Sequence, residues 1–286
     1  MPASNEPGRS SVSRTFAILR ACQRCAAPVT LTELARRSGI PVATAYRLSR
    51  ELIAEGALER NDDGTLQIGI GLWELGSAAP RQRDLRRTAL PVMRWLAGYT
   101  RTVVQLAVAD HHRAVCIEKV TGPRAVPNVT EVAGSLPLHS TGVGKVILAY
   151  CDDPAFRAVL QGTSLRRYTA RTIAHPTRLV AELSAVRYAR IGYSRGELTV
   201  GTASVAVPVF DADSRFIAAL GVLAPETEQV DLLAPEVRRA ADAITRRLRA
   251  GFCPSPRPGL SMSGMPAGAP LRERSKVAPV PRGSSK

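Results

Sequence analysis

The side chains best suited to specific chemistry in this sequence are grouped within residues 43–50. Tyr46 supplies a phenol, and Arg47 and Arg50 supply guanidinium groups, at spacings that place them side by side on one face of a helix. Guanidinium groups form paired hydrogen bonds with phosphates and with the exposed edge of guanine, and hydroxyl groups bond to either. The segment therefore predicts a nucleic-acid-binding surface made of Ala43, Thr44, Tyr46, Arg47 and Arg50.

Two short helices joined by a tight turn, within residues 31–56, are predicted to position these side chains. Ser38-Gly39 ends the first helix, and Pro41 suits the first turn of the second because its fixed φ is already helical. The apolar residues of the second helix recur at helical spacing and predict its buried face, which comprises Ala45, Leu48, Leu52 and Ile53. Such a helix pair with a polar free face is typical of a helix-turn-helix that reads the DNA major groove.

The flanking segments complete the pattern of a winged helix-turn-helix. A helix capped by Ser11 or Ser13 precedes the pair. Its predicted inward side chains are Val12, Phe16 and Leu19. Residues 57–68 follow as two short strands around Asp63-Gly64, a dipeptide favoured in hairpin turns. Because the tip of this hairpin is acidic, we expect Arg60 rather than the tip to contact the DNA backbone.

Connecting helices and then a mixed pattern of strands and helices follow the hairpin. The connecting helices are predicted within residues 71–99. Predicted strands are 102–109, 113–120, 125–132, 202–210 and 215–223, and predicted helices are 140–151, with shorter pieces to 161, 176–190 and 229–249. Antiparallel strands with helices on both sides of them in the sequence indicate an α+β fold. From residue 251 onward Pro, Gly and Ser dominate, which predicts a disordered basic tail, and residues 1–10 are predicted to be disordered as well.

The net charge of +15 suggests a polyanionic partner, but the charge is unevenly distributed. Residues 1–80 carry only +1, whereas residues 81–100 carry +4 and residues 251–286 carry +5. Sequence-specific DNA binding is therefore expected to depend on Tyr46, on Arg47 and on the joint use of two DNA-binding domains, more than on overall positive charge.

Composition excludes several other classes of protein. No apolar run reaches the ~20 residues that span a bilayer, and the first residues lack the apolar core of a secretory signal, so a cytoplasmic protein without a membrane partner is expected. Five cysteines are too scattered for a disulfide framework. Cys22 and Cys25 have no second pair of ligands nearby, and zinc needs about four, so neither a metal nor a cofactor is predicted.

The segment Ser140-Thr141-Gly142-Val143-Gly144-Lys145 allows two interpretations. A hydroxyl cap followed by glycines at the start of a helix leaves amide N–H groups that could bind a carboxylate. Alternatively, Gly142 and Gly144 serve only to let the helix pack closely against a sheet. The residues alone do not separate a ligand site from a packing motif.

Four segments, in this order, resemble the IclR family of bacterial transcriptional regulators. They are SVSRTFAIL near the start, residues 31–56, LPLHSTGVGKVILA at 136–149, and GYSRGELTVGTASVAVPVFDADSRFIAAL at 192–220. The resemblance implies dimers, often paired into tetramers, on operators that are inverted repeats. It also implies a winged helix-turn-helix over 11–70, linker helices over 71–99 and a GAF-like effector-binding domain over 100–250.

The resemblance also implies where a small organic effector binds. Family members bind small carboxylates with an acidic residue, a Cys and two Ser, and this chain has Ser194, Ser204, Gly221 and Leu223 at those positions. Together with Glu197 and the helix start at Gly142, Val143 and Gly144, these residues form the candidate effector site. Compared with the family pattern, these positions have fewer hydrogen-bonding side chains and one additional apolar side chain. A larger or more apolar effector is therefore expected.

Two functions of other classes remain open at this point. An enzyme acting on a small carboxylate would need a nucleophile or an acid–base pair around Glu197, Ser204 and His139. A protein-interaction module would use the helix-turn-helix surface without DNA. Binding to the promoter of its own or a neighbouring gene would favour the regulator.

Overall fold

A computed structural model describes residues 10–25, 27–110, 113–125, 132, 134–151, 160 and 165–251. The predicted strand at 125–132, the helical pieces after residue 151, the His111-His112 turn and both predicted disordered ends lie largely or wholly outside these residues.

The N-terminal part has three helices and a two-stranded antiparallel sheet, which confirms the predicted winged helix-turn-helix. The elements are α1 (Ser11–Gln23), α2 (Leu31–Ser38), α3 (Val42–Ala54), β1 (Leu58–Arg60) and β2 (Leu66–Ile68). Their shared core contains Ile18, Leu34, Ala45, Leu48, Leu58 and Leu66. The apolar faces that helical spacing predicted for α2 and α3 are thus buried against each other and against the hairpin.

The orientation of α1 differs from the prediction. Ser10 caps the helix, through a hydroxyl that accepts a hydrogen bond from the Ser13 N–H at 3.1 Å. Val12 and Phe16 are exposed, not inward. The core-facing side is set by Ile18, which follows Phe16 by two residues and so lies about 200° around the helix from it.

Helix α2 begins and ends with local hydrogen bonds that its sequence encodes. The Thr30 hydroxyl accepts a hydrogen bond from the Glu33 N–H at 3.3 Å. The Glu33 carboxylate in turn pairs with Arg36 and Arg37, each at 2.6 Å. Gly39 ends the helix at φ 67°, a left-handed conformation in which glycine has no steric penalty.

Two connecting helices lead from the hairpin to the second half of the chain. They are α4 (Ile70–Ser77) and α5 (Pro80–Thr100). Pro80 stands in the first turn of α5, where its missing N–H is not needed. Helix α5 buries one face that includes Leu85, Met93 and Leu96, whereas α4 buries none of its side chains.

A six-stranded antiparallel sheet forms the C-terminal part, in the order β5-β4-β3-β8-β7-β6. Its strands are β3 (Val103–Asp110), β4 (Arg113–Thr121), β5 (Ser135–Leu136), β6 (Gly192–Arg195), β7 (Thr202–Phe210) and β8 (Phe216–Pro225). The sequence predicted β3, β4, β7 and β8 but missed β5 and β6, because a strand of two to four residues has no measurable apolar periodicity.

Among the described residues, three further helices cover the two faces of this sheet. On one face α5 packs with α8 (Val230–Arg249), and on the other lie α6 (Gly142–Tyr150) and α7 (Pro176–Ala189). The face toward α6 carries small side chains, including Ala107, Ala206 and Ala219. The opposite face carries Leu106, Val205 and Leu220. The asymmetry lets α6 lie close to the sheet.

We predict that the Glu33 carboxylate stays ionised far into the acid range. Hydrogen bonds from Arg36 and Arg37 lower its pKa to about 2. Because this folded-state pKa lies below the unfolded value of about 4.3, the interaction stabilises the fold above the unfolded pKa and is lost as pH falls toward 2. An NMR titration of the Glu33 side chain should show this midpoint. A midpoint near 4 would mean that the two arginine contacts are not maintained in solution.

Candidate functional site

The predicted nucleic-acid-binding side chains lie on the free face of α3. Tyr46, Arg47 and Arg50 are exposed, as is Ala43, while Thr44 is half-buried. The Arg50 guanidinium lies 5.9 Å from the centre of the Tyr46 ring, so the two side chains form a cation–π contact. The buried stripe differs from the prediction in detail, since Ser49 is buried and Ile53 only partly so.

Arg47 is held by an acidic neighbour one helical turn away. Its Nη1 lies 2.6 Å from Glu51 Oε1, and both side chains are more than half exposed. Exposed pairs of this kind contribute at most about 1 kcal/mol, so a guanine edge or a phosphate can replace Glu51 at small cost.

The tip of the hairpin uses its acidic residue internally. Asp63 Oδ1 accepts hydrogen bonds from the Thr65 N–H at 2.9 Å and from the Thr65 hydroxyl at 2.5 Å. These hydrogen bonds lower the pKa of Asp63. Gly64 completes the turn at φ 81°. Arg60, at the end of β1, is exposed and available to a phosphate.

The segment before α6 is fixed to the sheet by hydroxyl groups. Thr141 caps α6 by accepting the Gly144 N–H at 3.0 Å, and the Ser204 hydroxyl accepts the Gly142 N–H at 3.2 Å. The expectation that these two amides are open to a carboxylate is therefore wrong for the structure as it stands. Side-chain hydroxyls of the chain itself already occupy both N–H groups.

Both glycines of this segment lie where a side chain would collide. A Cβ on Gly144 would come within 2.4 Å of the Leu138 carbonyl oxygen. One on Gly142 would come within 2.9 Å of the Ser204 hydroxyl and 3.1 Å of the Gly192 carbonyl oxygen. The packing interpretation of the motif thus has direct structural support, and a role in binding is additional to it.

Ser194 and Ser204 are brought together as cross-strand partners on β6 and β7. The Ser194 hydroxyl donates to the Ser140 carbonyl oxygen at 2.9 Å, while Ser204 bonds Gly142 as described. The two positions that the family resemblance assigned to the effector therefore hold the 140–142 turn against the sheet.

Glu197 is engaged by a buried lysine. Lys145 is only 1% exposed, and its Nζ lies 2.6 Å from Glu197 Oε1 and 3.0 Å from Glu182 Oε1. Thr172 adds a hydrogen bond from its hydroxyl to the Glu197 carbonyl oxygen at 2.7 Å. Two carboxylates offset the charge of Lys145, and this pairing accounts for a cation at full burial. The sequence alone did not indicate this partnership, because its members are far apart along the chain.

Gly221 and Leu223 lie on β8, on the face toward α6. A Cβ on Gly221 would come within 2.7 Å of Val143 Cγ1, so the valine side chain fills the space that a residue at position 221 would use. Leu223 is half-buried and pairs across the sheet with Ser204 and Val103. Val143 and Leu223 make this part of the sheet face apolar.

Three of the five buried side-chain polar atoms without a partner among the described residues lie in this region, and the other two belong to Ser49 and Glu236. Among the described residues, the Ser140 hydroxyl, Gln105 Oε1 and Glu197 Oε2 are buried and make no hydrogen bond. Gln105 is the cross-strand partner of Gly221 on β3. Gln105 was not among the predicted site residues, although an amide in the middle of the apolar segment TVVQLAVA is a signal for it.

An open groove lies elsewhere, between α8 and the end of α7. Its volume is about 570 Å³, and its lining includes Arg190, Arg238, Arg246 and Arg249. None of the predicted effector residues lines it. The polar groups of a half-open surface groove can be satisfied by solvent, whereas buried atoms without a partner cannot.

The described residues contain no cluster of three or more His, Cys, Asp or Glu side chains that could hold a metal ion. Cys22 is buried with its thiol toward the Leu66 carbonyl oxygen, and burial raises its pKa. His139 bonds the Arg166 carbonyl oxygen through Nε2 at 2.8 Å.

None of the described helices is long and apolar enough to cross a membrane.

The fold and the exposed face of α3 define a winged helix-turn-helix regulator, and comparison with known proteins identifies its family. Residues 11–62 match the IclR helix-turn-helix domain, and residues 78–246 match the C-terminal domain of bacterial IclR transcriptional regulators. The chain belongs to the IclR family. It is a transcription regulator with a DNA-binding domain and an effector domain, and not an enzyme.

Curated relatives support this assignment. The chain is 31% identical to the transcriptional regulator KdgR of Escherichia coli K12, over 76% of this chain and 82% of that protein. It is 27% identical to the transcriptional repressor IclR of the same organism, over 77% of this chain and 82% of the repressor.

Among solved structures, an IclR homologue from Microbacterium hydrocarbonoxydans is similar throughout. It shares 30% sequence identity with a TM-score of 0.77, covering 84% of this chain and 100% of that one. That homologue was crystallised in complex with 4-hydroxybenzoate.

We predict that Gly144→Ala lowers the free energy of unfolding, by about 1–3 kcal/mol, because the added methyl group overpacks the contact with the Leu138 carbonyl. Gly98→Ala is the matched control, since Gly98 lies in α5 with nothing within 4 Å of its would-be Cβ. That change should raise stability by about 0.5–1 kcal/mol. Thermal unfolding followed by circular dichroism measures both. Equal effects of the two changes would contradict the close packing of α6.

Proposed function

We propose that this protein is a ligand-responsive repressor that binds an inverted-repeat operator as a homodimer, with pairing into a tetramer, in the cytoplasm. The observation that carries the proposal is the exposed face of α3, with Tyr46, Arg47 and Arg50 presented together. Residues 11–70 would bind DNA, residues 71–99 would link the parts, and residues 100–250 would bind the effector. The resemblance of the chain to regulators and a repressor supports each of these roles.

The proposed effector is a small organic carboxylate with an apolar body. Val143 covers Gly221, and Leu223 lies beside Ser204, so the wall of the site offers methyl groups rather than hydroxyls. A similar homologue was solved with an aromatic carboxylate, 4-hydroxybenzoate. An aromatic carboxylate therefore fits this chain better than the smallest keto acids do.

Association of two copies is supported by the surface of α4. Ile70, Trp73 and Leu75 are 61–75% exposed, and no side chain of α4 is buried. A solvent-exposed apolar helix is unfavourable unless a partner covers it. Because α4 directly follows the DNA-binding module, a second copy on this helix would bring two reading heads together.

The effector would act through α5. This helix shares one core with β8 and α8, through Met93, Leu220 and Val237 among others. Its N-terminal end follows α4, so a change in the effector-binding part can bias the placement of the DNA-reading heads. Such coupling requires that the effector bind one head arrangement more tightly than another.

We predict that Arg47→Ala weakens operator binding by about 1–3 kcal/mol, because a lost arginine contact to a base costs this much. Arg215→Ala is the matched control, since Arg215 is 77% exposed in the turn between β7 and β8 and its loss removes the same charge. Gel shifts with the DNA upstream of the gene, in excess nonspecific competitor, measure both. An equal loss of operator affinity in the two variants would contradict the assignment of α3 as the helix that binds the operator.

We also predict that Leu75→Glu shifts the protein toward monomer, because a buried carboxylate at the proposed interface would lack a partner. Sedimentation velocity measures the change. Val200→Glu is the control, since Val200 is also exposed but lies in the effector domain. An unchanged sedimentation coefficient for Leu75→Glu would exclude α4 from the dimer interface.

A further inference from the structure

Gln105 stands out as a polar side chain that the fold itself does not use. It is 3% exposed in the centre of the sheet, and its Oε1 has no hydrogen-bond partner among the described residues. A buried acceptor without a partner destabilises a protein, so such atoms need a reason other than folding. Bonding a ligand is one such reason.

The place of Gln105 in the sheet puts it in the proposed effector site. Its cross-strand partner on β8 is Gly221, and cross-strand partners share one face of a sheet. The direction of the missing Cβ on Gly221 leads to Val143 Cγ1 at 2.7 Å, which identifies this face as the one under the start of α6. Gln105 therefore lies on the sheet face that the apolar side chain of Val143 covers.

A second unpartnered group lies just before α6, where the chain is bonded to β6. Ser140 is fully buried, and its hydroxyl makes no hydrogen bond among the described residues, although its carbonyl oxygen accepts one from Ser194. Ser140 precedes α6 by two residues, so an anion near it also meets the positive end of the helix dipole. The site thus has a hydroxyl suited to a carboxylate, an apolar middle and an amide oxygen.

We propose that Gln105 determines effector specificity by accepting a hydrogen bond from a hydroxyl group of the effector. The effector is then a hydroxyl-substituted carboxylate with an apolar body, its carboxylate toward Ser140 and its hydroxyl toward Gln105. This inference rests on the proposed function, because it assumes that the face under α6 binds the effector. Discrimination follows from burial, since an analogue without the hydroxyl leaves Gln105 Oε1 unpaired.

The test uses Gln105→Met, which keeps the size of the side chain and removes its polar atoms, with Gln82→Met on the exposed side of α5 as control. Calorimetry of the full chain with 4-hydroxybenzoate and with benzoate gives two affinities for each variant. The wild type should bind 4-hydroxybenzoate at least about tenfold tighter than benzoate. This ratio should fall to about one in Gln105→Met and stay unchanged in Gln82→Met.

Thermal unfolding without ligand supplies an independent result. Because Gln105 Oε1 is unpartnered, Gln105→Met should leave the melting temperature unchanged or raise it. A clear decrease would show that the amide is structural and would overturn the proposal, as would an unchanged affinity ratio. If the wild type binds neither compound while operator gel shifts remain intact, the effector class is wrong and DNA binding stands. Loss of specific operator binding would instead contradict the proposed function.

Discussion

The close approach of α6 to the sheet is the constraint on which the effector domain depends. Gly142, Gly144 and Gly192 have no Cβ, and the carbonyl oxygens or hydroxyls of neighbouring segments occupy the space that each Cβ would need. The alanines on this face of the sheet keep the rest of α6 equally close. With the helix this near, its capping groups must bond to the sheet, and Ser194 and Ser204 supply those bonds.

This packing leaves little freedom for the chemistry of the site. Hydroxyl groups accept hydrogen bonds from the amides of Gly142 and Gly144. Among the described residues of this region, Ser140, Gln105 and Glu197 each keep one buried polar atom without a hydrogen-bond partner. Glu197 is already paired with Lys145, so its remaining oxygen is part of a charge-balanced cluster. The proposed effector would therefore bond to atoms of these residues that the fold leaves without a partner.

The sequence predicted those parts of the structure in which one periodic pattern decides the outcome. Apolar spacing in residues 31–56, the Asp63-Gly64 turn and the long strands β7 and β8 each specify local structure within a few residues. The outward side of α1 was predicted wrongly, because Phe16 is as apolar as Ile18 and only tertiary packing chooses between them. Gln105 and the Lys145–Glu197 pair could not be found locally, since their significance depends on strand register and on segments 52 residues apart.

The proposed DNA-binding surface and the proposed effector site differ in how far their side chains are buried. The free face of α3 is exposed and its Arg47–Glu51 pair is weak, so in the proposed function its contacts would be exchanged for those of DNA without disturbing the core. The sheet face under α6, where the effector is proposed to bind, is buried, so a rearrangement there would be transmitted to tightly packed neighbours. One of these neighbours is the core shared by β8 and α5, and α5 runs back toward the DNA-binding module. A ligand that satisfies buried atoms on β3 and at the start of α6 can thus favour one packing of this core over another. In the proposed dimer, the exposed α4 would then convert that preference into a change in the spacing of the two DNA-binding domains.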